Sequence, residues 1–144
     1  MKRKATAVWK GDGSTGRGFL TTQSGVLNEQ PYSSKTRFED SEGISSTNPE
    51  ELIAAAHAGC YSMALSFALA NAGFKPEKIQ TDSEVELTTE EYIPRIVGIT
   101  LTLTATVPGI AADQFNDIAE AAKVNCPVSK ALLAVPITLV ATLV

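Results

Sequence analysis

TNPEELIAAAHAGCYSMAL, residues 47–65, is the stretch that decides the fold. Asn48 is a good helix N-cap, because its side-chain oxygen can accept a backbone N–H that has no partner within the helix. Pro49 suits the first helical position, and the two glutamates that follow are favoured by the helix dipole. We therefore predict a helix over residues 50–72 that ends at Gly73.

The predicted helix is apolar on nearly every side. A surface helix shows one apolar stripe, whereas a helix that is apolar all round is buried on most sides. We therefore expect this helix to be central and to be covered by other elements or by another chain.

Short strands and turns are predicted before the central helix. Residues 5–10 and 18–22 indicate strands, and residues 31–38 a further extended segment. Residues 11–16 and 39–46 are rich in turn-forming residues and indicate loops.

Two alternating strands follow the central helix, at residues 82–87 and 97–106, and Tyr92 to Arg95 indicates a hairpin between them. Residues 113–123 then predict a second helix. Its expected inner face consists of Phe115, Ile118, Ala119 and Ala122. A short third helix over residues 127–133 and a strand over residues 137–144 complete the pattern. Because strands cluster instead of alternating with helices, the predicted fold class is α+β.

The composition excludes several kinds of protein. The chain has 144 residues, which predicts a single domain over residues 1–144. A net charge of −4 argues against a nucleic-acid partner. No apolar run approaches the ~18 residues of a membrane span, and no signal peptide is recognised, so we expect a cytoplasmic protein without a membrane partner. With two cysteines and one histidine, the chain predicts neither a metal site, nor a cofactor, nor a disulfide framework.

The two cysteines have different surroundings. Cys60 lies in the middle of the apolar helix, where a free cysteine can simply pack as a small hydrophobic residue. Cys126 precedes Pro127 and is predicted to cap a short helix, where a thiolate is favoured. The cysteines are far apart in sequence, so they can act together only if the fold joins them.

Groups that could assist Cys60 are few. His57 lies on the same helical face, although a lone histidine is more often a hydrogen-bonded core residue than a catalyst. Glu50 lies roughly 15 Å along the helix axis from Cys60, so a helper must come from another segment or another chain. The basic candidates are Arg17 and Arg37, each of which can equally be a surface charge.

Several of these motifs resemble the OsmC family of osmotically inducible peroxidases. The matching segments are residues 24–32, Thr36 to Glu39, residues 47–65, residues 107–110 and residues 125–129. The resemblance covers nearly the whole chain, and its most specific parts are the segment from Asn48 to Cys60 and the later Cys126–Pro127 pair.

The resemblance implies an enzyme, a thiol peroxidase of oxidative and osmotic stress defence that reduces organic hydroperoxides and, less efficiently, hydrogen peroxide. It makes Cys60 the peroxidatic thiol and Cys126 the resolving thiol, which would form a disulfide. It assigns helper roles to Glu50 and to an arginine, with Arg37 as first choice and Arg17 as second. It also implies an intertwined homodimer, with sheets flanking central helices and sites at the interface, and an unidentified thiol reductant.

Other functions remain open from the residues alone. A non-enzymatic dimeric binding or scaffold domain with two structural cysteines is the main alternative. A thiol–disulfide oxidoreductase acting on proteins is disfavoured because a Cys-x-x-Cys motif is absent.

Overall fold

A computed structural model describes residues 1–40, 42–90 and 93–144. By its internal packing the chain divides into two compact units, Met1–Leu52 and Ile53–Val144. In chain order the elements are β1 Ala5–Lys10, β2 Arg17–Thr22, β3 Gln30–Ser33, α1 Ser34–Phe38, α2 Pro49–Asn71, β4 Lys78–Thr88, β5 Arg95–Thr106, α3 Ala112–Asn125, α4 Pro127–Ala131 and β6 Ile137–Leu143. This mixture of clustered strands and helices confirms the predicted α+β class.

The first unit is built on an antiparallel sheet in the order β1-β2-β3. Gly18 of β2 lies opposite Tyr32 of β3, and a Cβ at this position would come within 2.4 Å of the tyrosine ring. Only glycine therefore fits here without displacing the ring. The ring of Tyr32 in turn packs against Trp9 of β1, with centroids 5.3 Å apart.

Residues 34–38 correct the sequence-based expectation of an extended segment, because they form the helix α1. Its N-cap, Ser33, accepts a hydrogen bond from the backbone N–H of Thr36, whose hydroxyl lies against the backbone N–H of Ser33. This reciprocal capping box stabilises a helix start in a stretch with no apolar periodicity. The helix places Arg37 in its last turn.

Both ends of α2 have the predicted chemistry. Asn48 Oδ1 accepts the backbone N–H of Glu51 at 2.9 Å, as expected for an N-cap. At the other end Gly73 has a φ of 87°, and the N–H of Phe74 bonds to the carbonyl of Leu69. The left-handed conformation of Gly73 and this hydrogen bond end the helix.

The second unit is built on the sheet β4-β5-β6, with β5 in the middle. β4 and β5 pair antiparallel, as the predicted hairpin requires, although part of its connection, Glu91 and Tyr92, lies outside the described residues. β6 pairs parallel to β5. The buried face of β5 carries the alternating residues expected from the sequence, namely Ile99, Leu101, Leu103 and Ala105.

Two helices contribute to the core of the second unit. α3 buries Phe115, Ala119 and Ala122, with Ile118 packed at the edge, as predicted. α2 buries a single face, which consists of His57, Tyr61, Leu65 and Leu69. Of the two sources of cover that the sequence allows, the chain itself therefore covers only this face, since Met63 and Phe67 are 63% and 66% exposed.

One sequence-based statement about α2 also needs correction. Within the described ranges, this one helix has the length and mean hydropathy of a membrane span. A search for an uninterrupted apolar run does not detect it, because a few polar residues interrupt the helix. Core helices pass the same test, and Tyr61, Leu65 and Leu69 belong to the hydrophobic core of the second unit. Packing in this unit thus accounts for one apolar face of the helix, while the face with Met63 and Phe67 stays exposed.

Candidate active site

The second unit brings its two cysteines together. Cys60 projects from the middle of α2, and Cys126 is the residue between α3 and α4 that serves as the N-cap of α4. Their Sγ atoms lie 3.1 Å apart and form a hydrogen bond, although the residues are 66 positions apart in sequence. Both thiols are free, and Cys126 is completely buried while Cys60 is partly accessible. The fold therefore creates a thiol pair that no local motif provides.

The two thiols differ in acidity. Burial raises the pKa of Cys60, and its hydrogen bond with Cys126 raises it further. Burial also opposes ionisation of Cys126, but the backbone N–H and hydroxyl of Ser129 and the hydrogen bond with Cys60 outweigh it. Together they hold the pKa of Cys126 below its ordinary value. Burial within the apolar core thus opposes ionisation of Cys60, and this thiol needs a positive charge nearby to become a thiolate.

A buried polar pair lies next to the thiols. Nε2 of His57 is 2.8 Å from Oγ of Ser129, and the two residues are 0% and 3% exposed. Burial lowers the pKa of His57, so the ring is neutral. Sequence reasoning correctly treated His57 as a hydrogen-bonded core residue but missed Ser129. The available signal was its position three residues after the predicted N-cap, where a side chain faces the cap.

Tyr61 fixes the helix that carries Cys60. Its hydroxyl donates a hydrogen bond to the carbonyl of Ala119 in α3 at 3.2 Å, and its ring is fully buried. Burial is the main reason that the pKa of Tyr61 lies well above its usual range, so the phenol stays protonated. Because Tyr61 is the residue after Cys60, this contact limits how far the thiol can move.

In the first unit, Arg37 and Glu50 form a two-point ion pair. Nη2 of Arg37 lies 2.6 Å from Oε1 of Glu50, and Nε lies 3.1 Å from Oε2. The glutamate side chain is only 10% exposed, against 34% for the arginine. Two parallel charge-assisted hydrogen bonds fix the orientation of the guanidinium as well as its position. The guanidinium carbon also lies over the ring of Phe38, 4.9 Å from the ring centroid, in a cation–π contact.

Arg17, the second candidate arginine, has a different environment. It begins β2 opposite Ser33 and lines an open cavity of about 640 Å³ within the first unit. Lys35 and Glu39 line the same cavity. Arg37 instead borders a smaller cavity of about 210 Å³ beside Trp9. Across the residues that the structure describes, no three His, Cys, Asp or Glu side chains gather as metal ligands.

The fold and the thiol site together define an α+β protein with a paired-cysteine centre. The sequence model of the OsmC-like protein family matches residues 40–140. The chain is 49% identical over 134 residues to the peroxiredoxin OsmC of Escherichia coli, covering 93% of this chain and 92% of that relative. The chain therefore belongs to the OsmC family.

More distant relatives share the architecture. The chain is 31% identical over 120 residues to the organic hydroperoxide resistance protein OhrB of Bacillus subtilis, covering 79% of this chain and 80% of that one. A crystal structure of an organic hydroperoxide resistance protein OsmC from Legionella pneumophila superposes with a TM-score of 0.70 and 26% identity, over 96% of each chain. The crystal structure of OhrB itself gives a TM-score of 0.74 over 96% of this chain and 98% of that chain, at 24% identity after superposition, and so supports the fold alone.

Proposed function

We propose that the protein is a cysteine-based thiol peroxidase that reduces organic hydroperoxides, and hydrogen peroxide less efficiently. The observation that carries this proposal is the 3.1 Å separation of two free thiols in a largely apolar core. The names of its relatives, a peroxiredoxin and an organic hydroperoxide resistance protein, support the same substrate class. A role in oxidative stress defence follows from this activity, and the resemblance to osmotically inducible peroxidases supports a role in osmotic stress as well.

The reaction proceeds in two steps at the thiol pair. The thiolate of Cys60 attacks the distal oxygen of the hydroperoxide, so that an S–O bond forms, the O–O bond breaks and the alkoxide takes a proton to leave as an alcohol. The sulfenic acid at Cys60 is then attacked by Cys126, which forms the S–S bond and releases water. An external thiol reductant restores both thiols by disulfide exchange.

Cys60 is assigned the peroxidatic role because it is the accessible thiol of the pair, whereas Cys126 is fully buried. A substrate can therefore reach Cys60 first, and the buried Cys126 is placed to trap the product before a second peroxide arrives. The apolar residues around Cys60 favour alkyl peroxides over small polar ones.

Arg37 is proposed to assist the reaction, with Glu50 as its positioning partner. A guanidinium next to Cys60 would lower the pKa of the thiol and stabilise negative charge on the leaving oxygen. The two-point ion pair with Glu50 supports Arg37 over Arg17, because a fixed guanidinium loses less freedom when it binds the reacting oxygen. Arg17 remains the second choice.

The working unit is proposed to be a cytoplasmic homodimer in which each chain acts as a single domain, with the active sites at the interface. The exposed face of α2 supports a second copy, since Met63 and Phe67 present large apolar side chains to solvent beside the small residue Gly59. A buried interface on this face would restore the all-round cover that the sequence of α2 predicts.

A mass measurement tests the central proposal. One equivalent of cumene hydroperoxide, added to the reduced protein, should lower the mass by two hydrogens, and proteolysis should yield a Cys60–Cys126 crosslinked peptide. Two free thiols after the same treatment, with the hydroperoxide unconsumed, would indicate structural cysteines and overturn the proposal. Cys126→Ser serves as the control, since it can form no such crosslink.

A further inference from the structure

A buried hydrogen-bonded pair beside the thiols has no role in the reaction proposed above. His57 and Ser129 are both almost fully buried, and they join α2 to α4 through the 2.8 Å contact between Nε2 and Oγ. Burying polar side chains is costly unless their hydrogen bonds are made. A purely apolar contact would link the two helices at lower cost, so the polar pair calls for another explanation.

The direction of the hydrogen bond follows from the other ring nitrogen. Nδ1 of His57 is buried and has no hydrogen-bond partner in the part of the chain that the structure describes. An unpaired buried N–H is rarer in proteins than an unpaired acceptor, so the proton of the neutral ring belongs on Nε2. The ring then donates to Oγ of Ser129, and the serine hydroxyl keeps its own proton for a different acceptor.

The acceptor is identified by the position of Ser129 in α4. Cys126 is the N-cap of this helix and Ser129 is its third residue. The two positions lie close together in the first turn of a helix, although Cys126 makes no side-chain cap hydrogen bond here and its sulfur is bonded to Cys60 instead. Against the opposing effect of burial, the backbone N–H and the hydroxyl of Ser129 lower the pKa of Cys126 and so favour its thiolate.

We propose that His57 and Ser129 are positioning residues for the resolving thiol: Nε2–H of His57 fixes the hydroxyl of Ser129, and this hydroxyl donates to Sγ of Cys126 when the thiol ionises. The inference rests on the proposed function and extends it to the second step. There the Cys126 thiolate attacks the sulfur of the Cys60 sulfenic acid, the S–S bond forms and the S–O bond breaks. The departing hydroxide takes up the proton that Cys126 had released, so that water is the product.

Among the described residues, the ionisable groups that interact with Cys126 lie on α2. Cys60 is hydrogen bonded to Cys126, and His57 acts through Ser129. Tyr61 interacts electrostatically with the Cys126 thiolate. Tyr61 remains protonated because it is buried and bonded to Ala119. A change in the titration of Cys126 on replacing His57 or Ser129 is therefore readily assigned to the hydrogen-bonded pair.

The test measures the Cys126 thiolate directly and uses no peroxide. In a Cys60→Ser background, the ultraviolet absorbance of the thiolate is followed against pH, with Cys60→Ser/Cys126→Ala as the blank. Ser129→Ala and His57→Leu should each move the titration to higher pH, with about tenfold less thiolate at neutral pH. His57→Gln, whose amide N–H can take the place of Nε2–H, should largely restore the original curve.

Ser62→Ala is the matched control, because this half-buried hydroxyl of α2 is bonded to Thr81 at 2.8 Å instead of to a thiol. Its titration should not change. An unchanged curve for Ser129→Ala would overturn the inference, and this small substitution decides the matter even if His57→Leu fails to fold. A peroxidase that proves inactive leaves the titration intact, so failure of the proposed function can be told apart from failure of this inference.

A second readout uses the thiol pair intact. With about tenfold less thiolate, partly offset by the greater nucleophilicity of a more basic thiol, Ser129→Ala should form the disulfide about threefold more slowly. The fraction of Cys60 over-oxidised to sulfinate at high peroxide should rise accordingly. A rate of disulfide formation equal to that of the unaltered chain would contradict the proposed role.

Discussion

Sγ of Cys60 and Sγ of Cys126 lie 3.1 Å apart, close enough to form a disulfide after only a small movement of either side chain. One thiol is partly accessible and the other is completely buried. This asymmetry separates the two steps of the proposed reaction, because a peroxide reaches one sulfur and the product meets the other. The predictions below follow from this asymmetry and from the groups around it.

Cys60→Ser and Cys126→Ser should have different effects on turnover. Without Cys60, the consumption of tert-butyl hydroperoxide should fall to the uncatalysed rate, because no accessible nucleophile remains. Without Cys126, one equivalent should still be consumed, after which Cys60 should accumulate as sulfinate. Stopped-flow peroxide consumption and intact mass check both results. Full turnover by Cys60→Ser would refute the assignment of the two thiols.

Arg37→Lys should lower kcat/KM for organic hydroperoxides by about tenfold or more. Lysine keeps the positive charge but cannot form the two-point pair with Glu50 that fixes the guanidinium. Glu50→Gln should produce a loss of similar size through the same contact. Arg17→Lys is the matched control and should have little effect. A larger loss in Arg17→Lys than in Arg37→Lys would reverse the choice between the two arginines.

The fold itself should be sensitive to pH through His57. Burial lowers the pKa of this histidine, so below about pH 6.5 the unfolded chain binds a proton that the folded chain does not. Folding stability should therefore decrease as the pH falls from about 7 to about 5. Urea unfolding at fixed protein concentration measures this decrease. Because the chain has one histidine, His57→Gln should show a smaller decrease over the same range, and an equal decrease would assign the effect to other groups.

Met63→Lys should weaken the proposed homodimer. Met63 is 63% exposed on the apolar face of α2, so a charge there costs little in the monomer and much in a buried interface. Sedimentation velocity should show a shift toward monomer and a parallel loss of peroxidase activity. Asn116→Lys, at an exposed position of α3, is the matched control and should leave the assembly unchanged. A fully active monomer of the unaltered chain would contradict the dimer.

Local signals predicted the helices and the alternating strands of the second unit well. Asn48 and Gly73 determine where α2 begins and ends. Each is a local signal that spans only a few residues, so both ends of the helix can be predicted from the sequence. α1 was missed because its capping box spans only Ser33 to Thr36 and no apolar periodicity follows it. The sequence of α2 predicts cover on most sides but leaves its source open, because apolar composition alone does not tell a helix covered by its own chain from one covered by a second copy.

The contacts of the site were less accessible to sequence reasoning. Ser129 is 72 positions from His57, and no sequence pattern near either residue predicts the hydrogen bond between them. The meeting of Cys60 with Cys126 was expected only from the family resemblance, because it depends on the packing of α2 against the end of α3. The acidity of Cys126 was the exception, since its place before Pro127 is a local feature.

The sequence separation of the two thiols also has a consequence for chain synthesis. Cys60 leaves the ribosome 66 residues before Cys126, and β6, which completes the sheet beneath them, comes later still. A nascent chain thus carries Cys60, the thiol proposed to react with peroxide, before it carries Cys126, the thiol proposed to form the disulfide with it. Until Cys126 has been made and the second unit has folded, a sulfenic acid at Cys60 has no thiol of its own chain that can convert it to a disulfide.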